Sequence, residues 1–331
     1  MLKNLKLNRH PNVRIAQELF VFVLLILTLF IINTIYNGVL TFGTIMSILR
    51  SSIEIGIIVL AFVFVILTGG IDLSVGSIMA LSIVVFGEVF NNTNNIMLAV
   101  LASLGTGIAC GIFNGFCIGY LKMAAWVVTL CGMYIYEGIA LGISEAATYS
   151  GFPEGFYFLG QGYIAGIPTQ IVLYTALVLV FSFILTATKL GRQIRSVGFS
   201  STASHYAGVN VPAVKLSVYT FSGLACALAG IIYISRISIG KADAGEGYVM
   251  DIITAVVLGG VSTSGGIGSI RGATLGLITV GMLRGCMTLI QIPSEVTSII
   301  LGIILIISVV LTDRNGIRLF NRSGKLFPNK R

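Results

Sequence analysis

Charged residues are scarce in this chain. Asp, Glu, Lys and Arg make up only 10% of its 331 residues, against roughly a quarter in soluble domains. Hydrophobic residues make up 56%, and the mean hydropathy is +1.00. This composition excludes an ordinary soluble domain and predicts an all-α, polytopic membrane protein. The 40 glycines agree, because small residues let membrane helices approach one another closely.

Groups that perform catalysis or bind metal are also rare. The two histidines, His10 and His205, have no plausible nucleophile beside them. A phosphate loop of the form GxxxxGK[ST] is absent, so this chain does not hydrolyse ATP itself. The five cysteines lie singly in apolar runs, which predicts small buried side chains: Cys110, Cys117, Cys131, Cys226 and Cys286. We therefore expect no catalytic residue, no metal site and no cofactor.

The basic residues that give the net charge of +8 are grouped in three places. They lie in the N-terminal tail (1–18), in a central loop (189–215) and in the C-terminal tail (313–331). The positive-inside rule predicts that all three are cytoplasmic. The longest remaining loop, Ser144 to Thr169, has no Lys or Arg and is expected outside. Basic residues scattered over the flanks of hydrophobic spans do not predict nucleic-acid binding.

Apolar runs predict a single transmembrane domain over residues 1–331, with ten spanning helices of about 20 residues each. The predicted spans are 19–36, 53–67, 77–90, 96–120, 125–143, 170–188, 216–239, 252–261, 273–290 and 296–311. The first run has no small-residue cleavage site after it, so it is interpreted as a helix and not as a signal peptide. The run at 252–261 is too short to cross, and we interpret it as a broken helix completed through the glycines that follow.

Two glycine-interrupted segments, one in each half of the chain, join consecutive apolar runs. The first, LTGGIDLSVGSIMALS, covers residues 67–82, and the second, LGGVSTSGGIGSIRGA, covers residues 258–273. Such a pair predicts a transporter built from repeats with the path between them, and tight helix packing through glycine is the alternative. The glycines concerned are Gly69, Gly70, Gly76, Gly259, Gly260, Gly265, Gly266 and Gly268.

Asp72, in the first of these segments, is expensive to place among apolar runs unless it faces protein or water. It either lines a path or, with Ser74, caps the next helix. Asn114 and Glu137 are predicted to lie deepest among the polar side chains of the spans, and Trp126 offers an aromatic face to a solute or packs at an interface. The other ionisable candidates, several of which lie near span ends and can reach water, are Glu54, Glu88, Arg236, Arg271 and Arg284.

Three strings together resemble the ribose-type permease subunits of bacterial ABC importers. They are TGGIDLSVGSIMALS (68–82), LGRQIRSVGFSSTASHYAGVNV (190–211) and AVVLGGVSTSGGIGSIRGATLG (255–276). The resemblance extends over nearly the whole chain. It implies a half-transporter in the bacterial cell membrane, in contact with membrane lipid, with both termini in the cytoplasm.

The resemblance also implies partners. A second permease, identical or homologous, would complete the path, an extracytoplasmic sugar-binding protein would deliver the solute, and a cytoplasmic ABC ATPase would drive transport. Relatives carry ribose, rhamnose, other simple sugars or autoinducer-2, and the strings do not choose among them. The alternative from the residues alone is an ion-coupled secondary transporter, which also uses broken helices and carboxylates but needs no ATPase. A membrane enzyme or receptor is a further alternative.

In the resembling permeases, the loop at 190–211 is the element that docks in a groove of the ATPase. Here Ser200 or Ser201 can cap a short helix that ends near Tyr206. The usual Asn-Glu-Ala-Ala core is replaced by residues 200–203, Ser-Ser-Thr-Ala, which removes a carboxylate. A solvated basic loop is the alternative. The predicted coupling residues are Gly191, Arg192, Gly198, Ala203, Tyr206 and Gly208.

Overall fold

The computed structural model describes residues 41–312 together with Val23 and Ile26, so the predicted first span and both predicted tails lie outside the fully described part. Twelve helices form this part of the chain. They are α1 (Phe42–Leu67), α2 (Val75–Thr93), α3 (Ile96–Gly119), α4 (Ala125–Ser144), α5 (Glu154–Gln161), α6 (Thr169–Ala187), α7 (Lys189–Phe199), α8 (Ser201–Tyr206), α9 (Val211–Ile237), α10 (Tyr248–Leu258), α11 (Ile270–Leu289) and α12 (Ser294–Thr312). A two-stranded antiparallel hairpin, β1 (Tyr163–Ile164) and β2 (Ile167–Pro168), lies between α5 and α6.

Seven of the described helices are long and apolar enough to cross a membrane: α1, α2, α3, α4, α6, α9 and α11. Each matches one predicted span, so the all-α membrane class is confirmed. The predictions at 252–261 and 296–311 fall on α10 and α12, whose described apolar parts are shorter. The glycines after α10 do not complete it, because the helix ends at Leu258 and the chain turns back through 259–269 before α11.

Two helices begin where the apolar pattern did not predict them. α1 starts at Phe42, well before the predicted residue 53, because the Arg50 side chain finds partners in the chain and no longer limits the span. Its guanidinium donates to the Gly160 carbonyl oxygen (2.8 Å) and to the Tyr163 hydroxyl (3.0 Å). α7 is a separate helix that was not predicted, because the predicted span ends at residue 188. The Thr188 hydroxyl caps α7 by accepting a hydrogen bond from the Gly191 amide (3.3 Å).

The bundle has two ends that carry different elements. α6 starts directly after the hairpin and finishes directly before α7, so these elements lie at opposite ends of a 19-residue helix. We call the side of α5 and the hairpin the hairpin end. We call α7 and α8 together the elbow, and their side the elbow end.

The centre of the bundle is formed by α1 and α9. α1 packs against α6, α9, α10 and α11, and it is buried continuously from Ser52 to Leu67. α9 packs against α1, α2, α3 and α5. A stripe of glycines four residues apart brings α3 against α9, and a methyl group at Gly107 or Gly111 would overlap carbonyl oxygens of α9. This small-residue contact replaces the hydrophobic effect that packs helices in water.

The hairpin end is closed by contacts from the segment before α5. Tyr149 pairs with Gly240 in an isolated antiparallel bridge, which joins this segment to the loop after α9. The Tyr149 hydroxyl donates to the Glu88 carboxylate (3.0 Å). Burial, with this hydrogen bond to Glu88, raises the pKa of Tyr149 to about 12, so the phenol remains a donor at neutral pH.

Candidate functional site

Both glycine-rich segments and the elbow meet at the last residue of α1. The Leu67 carbonyl oxygen accepts a hydrogen bond from the Gly266 amide (2.9 Å). Gly198, near the end of α7, lies so close that a methyl group there would overlap the Leu67 carbonyl oxygen and the Gly266 nitrogen. A methyl group at Gly265 would lie 3.0 Å from the Gly69 amide nitrogen. We call this meeting point, formed by Leu67, Gly69, Gly198, Gly265 and Gly266, the glycine junction.

Glycine is required at the junction for two physical reasons. Gly69, Gly265 and Gly266 have positive φ angles of 76°, 87° and 75°, a backbone conformation that costs other residues energy. Gly198 is needed for close approach alone. The junction therefore unites three features that the sequence presented separately, and it supports the prediction of paired helix breaks.

The other predicted glycines mostly permit helix contacts, as the alternative interpretation held. A side chain at Gly259 would overlap the backbone of α11 at Gly272. Gly76 lies against the Gly245 carbonyl in the loop before α10, and Gly70 lies against the Tyr219 hydroxyl. The remaining two predicted positions are Gly260, which has a φ of 78°, and Gly268, which packs against Val261.

Asp72 is fully buried and links the start of α2 to α9. Its Oδ1 accepts from the Ser74 amide (3.1 Å) and from the Ser74 hydroxyl (2.6 Å), and its Oδ2 accepts from the Ser222 hydroxyl (2.9 Å). Ser74 is the residue that precedes α2, and its own side chain makes no capping bond. Asp72 thus satisfies an amide at the helix start, as the capping hypothesis proposed, and also crosses to a second helix that the sequence did not indicate.

The network continues through Asn114 to α4. The Asn114 amide nitrogen donates to the Ser74 hydroxyl (2.9 Å), and its Oδ1 accepts from the Tyr136 hydroxyl (2.8 Å). Asp72, Ser74, Asn114 and Tyr136 are all buried. We call these residues and Ser222 the Asp72 network. It fixes the first glycine-rich segment (67–82), which forms the break between α1 and α2, against α3, α4 and α9. We call this segment the first helix break and the segment at 258–273 the second helix break.

One face of α4 is exposed in the described chain, and it holds two of the predicted path residues. Trp126 is 59% exposed, and Glu137 is also exposed. Asn114 is buried and Glu137 is exposed in the isolated chain, so the two side chains that were predicted to lie deepest in the spans occupy different faces of the protein. Cys131 is exposed on α4 as well, against the prediction that all five cysteines are buried, and the other four are buried.

The elbow is held on one side and open on the other. Gly191, Ile194 and Val197 of α7 are buried. The Ser200 hydroxyl caps α8 by accepting from the Ala203 amide (3.1 Å), as predicted for that serine. The hydroxyls of Ser196 and Ser204, 2.7 Å apart, join α7 to α8.

The exposed side of the elbow consists of predicted coupling residues. Arg192, Ala203 and Gly208 are exposed, and Tyr206 is 85% exposed. Gly208 has a φ of 82° and turns the chain after α8 towards α9, where the Asn210 side chain accepts from the Ala213 amide (3.1 Å). The elbow therefore presents an aromatic side chain on a short helix whose base is fixed in the bundle.

Two ion pairs at the hairpin end were not predicted as pairs. Arg236 Nε donates to Glu54 Oε1 (2.6 Å), and Arg284 Nη1 bonds Asp251 Oδ2. Glu54 and Asp251 are buried. The described residues contain no group of three or more His, Cys, Asp or Glu side chains that could hold a metal ion.

The comparisons with known proteins identify this bundle of membrane-crossing helices, with its glycine junction and exposed elbow, as a multi-pass permease subunit. The family described as "Branched-chain amino acid transport system / permease component" matches residues 44–309. The ribose import permease protein of Bacillus subtilis is 34% identical over 90% of this chain and 93% of its own length. No solved structure matches.

Other relatives have the same extent. The ribose import permease protein of Escherichia coli is 32% identical over 88% of this chain and 92% of its own length. The autoinducer 2 import system permease protein of Escherichia coli is 32% identical over 90% of this chain and 92% of its own length. The chain belongs to this family of import permeases, in the group that includes the ribose and autoinducer 2 proteins. It is a multi-pass membrane protein and the non-catalytic, transmembrane component of an ABC importer.

Proposed function

We propose that this chain forms half of the path of an ATP-driven importer for a sugar or sugar-like solute of the ribose, rhamnose or autoinducer 2 type. A second permease, identical or homologous, completes the path. A cytoplasmic ABC ATPase binds the elbow, and an extracytoplasmic binding protein delivers solute at the hairpin end. The observation that carries this proposal is the position of the elbow. Its residue Gly198 contacts both helix breaks, and its residue Tyr206 is exposed where a partner protein can bind.

The orientation follows from charge. Lys189, Arg192, Arg195 and Lys215 lie in or beside the elbow, and residues 144–169 at the hairpin end contain no Lys or Arg. The positive-inside rule then assigns the elbow end to the cytoplasm. With a first span at 19–36, and with α10 and α12 counted as spans, ten crossings leave both termini in the cytoplasm.

Packing, and not a charge pair, carries the proposed contact between the elbow and the ATPase. The exposed side of α8 has no carboxylate, while Tyr206 and Phe199 are 85% and 55% exposed. An exposed aromatic ring on a rigid base is a typical anchor in a protein interface. Movement of this anchor would reach Gly198 and, through Leu67, the first helix break.

The exposed face of α4 is the proposed side of the path. Glu137 lies seven residues before the end of α4, which is about 10 Å along the helix axis. A carboxylate at that depth is expensive in hydrocarbon, so it faces water or a partner protein. Trp126 and Tyr134 on the same helix are 59% and 66% exposed and offer ring faces to a sugar. Asp72, Ser74 and Asn114 would hold α4 in position from its buried side, through the hydrogen bond between Asn114 and Tyr136.

Reconstitution tests the proposal. The permease is co-purified with the ATPase and the binding protein of its gene neighbourhood and placed in liposomes, and ATP-dependent uptake of ribose and of autoinducer 2 is measured. Ala203→Arg places a charge on the exposed side of α8, and we expect it to abolish ATPase binding and uptake. Ala124→Arg is the matched control, because Ala124 is also exposed at the elbow end but lies before α4.

Two results would contradict the proposal. One is uptake by the permease alone on an ion gradient, without an ATPase. The other is loss of ATPase binding in Ala124→Arg and Ala203→Arg alike, which would remove any specific role of the elbow.

A further inference from the structure

A cavity of about 410 Å³ opens between α1, α9, α10 and α11. None of the residues that line it belongs to α4, the elbow or the glycine junction. It lies at the hairpin end, because Arg236 neighbours Ser235, whose hydroxyl accepts from the Gly160 amide of α5 (2.7 Å). The cavity is therefore separate from the surfaces assigned to transport and coupling.

The arginines of the two ion pairs face this cavity, and some of their guanidinium nitrogens make no hydrogen bond within the described part of the chain. Arg236 and Arg284 line it and are 23% and 32% exposed. Each guanidinium uses one nitrogen in its ion pair, and the described residues provide no hydrogen bond to its other nitrogens. Glu54 Oε2 is buried without a donor within the described part of the chain. Glu54 does not itself line the cavity, so the unused polar groups that face it are the remaining nitrogens of the two arginines.

The lining changes character with depth. Ser47, Ser51 and Thr288 lie towards the hairpin end, where the neighbouring Arg50 donates to the Gly160 carbonyl. Val280 and Leu277 lie nine and twelve residues before Leu289, the last residue of α11, which is about 14 and 18 Å along the helix. Ser47, Ser51 and Thr288 are therefore at the level where lipid headgroups lie, and Leu277 and Val280 are at the level of acyl chains.

We propose that the cavity binds a phospholipid with a primary ammonium headgroup, such as phosphatidylethanolamine. The unused nitrogens of Arg236 and Arg284 donate to the phosphate oxygens, an arrangement for which the guanidinium group is well suited. The ammonium group donates to Asp251, and the first methylenes of a chain lie against Ile55, Leu277 and Val280.

Charge selects this lipid class. Two arginines and the two carboxylates paired with them sum to zero, so the site gains nothing from the net negative charge of an anionic lipid. A zwitterionic headgroup places each charge beside its opposite. A choline headgroup has no N–H group to donate to Asp251, so phosphatidylcholine loses that hydrogen bond.

Native mass spectrometry of the purified permease tests this proposal and does not depend on transport. The protein is equilibrated with phosphatidylethanolamine, phosphatidylcholine or phosphatidylglycerol, and the lipid that remains bound is counted. We expect phosphatidylethanolamine to be preferred at least about tenfold, the ratio expected for one charge-assisted hydrogen bond. Asp251→Asn with Arg284→Gln removes both charges without leaving either unpaired, and it should abolish the preference.

Controls separate binding from folding. Arg271→Gln removes an exposed arginine from the opposite end of α11 and should leave the preference unchanged. Ser51→Trp fills the cavity while all four ion-pair residues are retained, and it should displace the lipid. Thermal unfolding in detergent shows whether each variant folds.

Three results would overturn the assignment. They are equal retention of all three lipids, a preference that survives in the doubly neutral variant, and equally tight binding of soluble glycerophosphoethanolamine. The last result would show a site for a soluble phosphate ester and not for a lipid.

Discussion

Gly198 of α7 lies directly against the carbonyl group of Leu67, the last residue of α1. The same carbonyl accepts the Gly266 amide, so the elbow and the second helix break share one backbone atom of the first break. Backbone atoms that meet without intervening side chains leave little room for independent movement, so we expect a displacement of the elbow to be transmitted to both glycine-rich segments.

The Asp72 network predicts a stability loss on removal of one hydroxyl. Ser222→Ala removes the donor to Asp72 Oδ2 and leaves a buried carboxylate oxygen without it. We expect a loss of about 2 kcal/mol and a fall of about 3 °C in the thermal midpoint in detergent. Ser217→Ala is the matched control on α9, since the Ser217 hydroxyl donates only to the Ala213 carbonyl of its own helix. Equal midpoints for the two variants would show that the contact with Asp72 adds no stability.

The Glu54–Arg236 ion pair predicts an asymmetry between single and double variants. Arg236→Gln leaves a buried carboxylate unpaired and should cost about 3–5 kcal/mol of stability. Glu54→Gln with Arg236→Gln should cost less than Arg236→Gln alone, because no charge is left uncompensated. Thermal unfolding in detergent measures both, with Arg271→Gln as the exposed control. A double variant less stable than the single one would contradict this explanation.

Cys131 reports whether the exposed face of α4 meets water. Thiols react as thiolates, which form in water and not in hydrocarbon. We expect a hydrophilic maleimide to label Cys131 in the permease in lipid, with the label located by peptide mass spectrometry. Cys226 is fully buried and is the internal control, expected to react only after denaturation. Absence of label at Cys131 would show that the Cys131 side of α4, about 120° around the helix from Glu137, does not meet water.

Tyr206 is the expected anchor for the ATPase. Tyr206→Ala should weaken ATPase binding about thirtyfold or more, because a central aromatic anchor contributes at least about 2 kcal/mol. Phe158→Ala is the control, since Phe158 is 51% exposed at the hairpin end. Affinity measured with the purified ATPase should change for Tyr206→Ala alone. A similar affinity for both variants would assign the contact to another part of the elbow.

Sequence reasoning located the helices because apolar length is a strong local signal. Seven predicted spans coincide with long helices, and the Ser200 cap of α8 depends only on neighbouring residues. α7 was missed because its polar residues resemble the end of a span. Features that depend only on neighbouring residues, such as span length and a helix cap, could therefore be predicted from the sequence.

The contacts of the site could not be predicted in the same way. Gly198 meets Leu67 across 131 positions, and Arg236 meets Glu54 across 182. In a helix that is apolar on every side, hydrophobic periodicity does not distinguish the packed face from the exposed one. This is why Asn114 and Glu137 appeared equivalent in the sequence although only Asn114 is buried.

The most direct test of the account is the efficiency of coupling in Gly198→Ala. The added methyl group must separate α7 from Leu67 and Gly266, while Gly105→Ala adds the same group on α3 with open space around it. In liposomes with the ATPase and the binding protein, solute uptake per ATP hydrolysed is measured for both variants. The account predicts a fall of about tenfold or more for Gly198→Ala and a change within about twofold for Gly105→Ala. Normal uptake per ATP in Gly198→Ala would contradict the claim that the glycine junction transmits movement from the elbow.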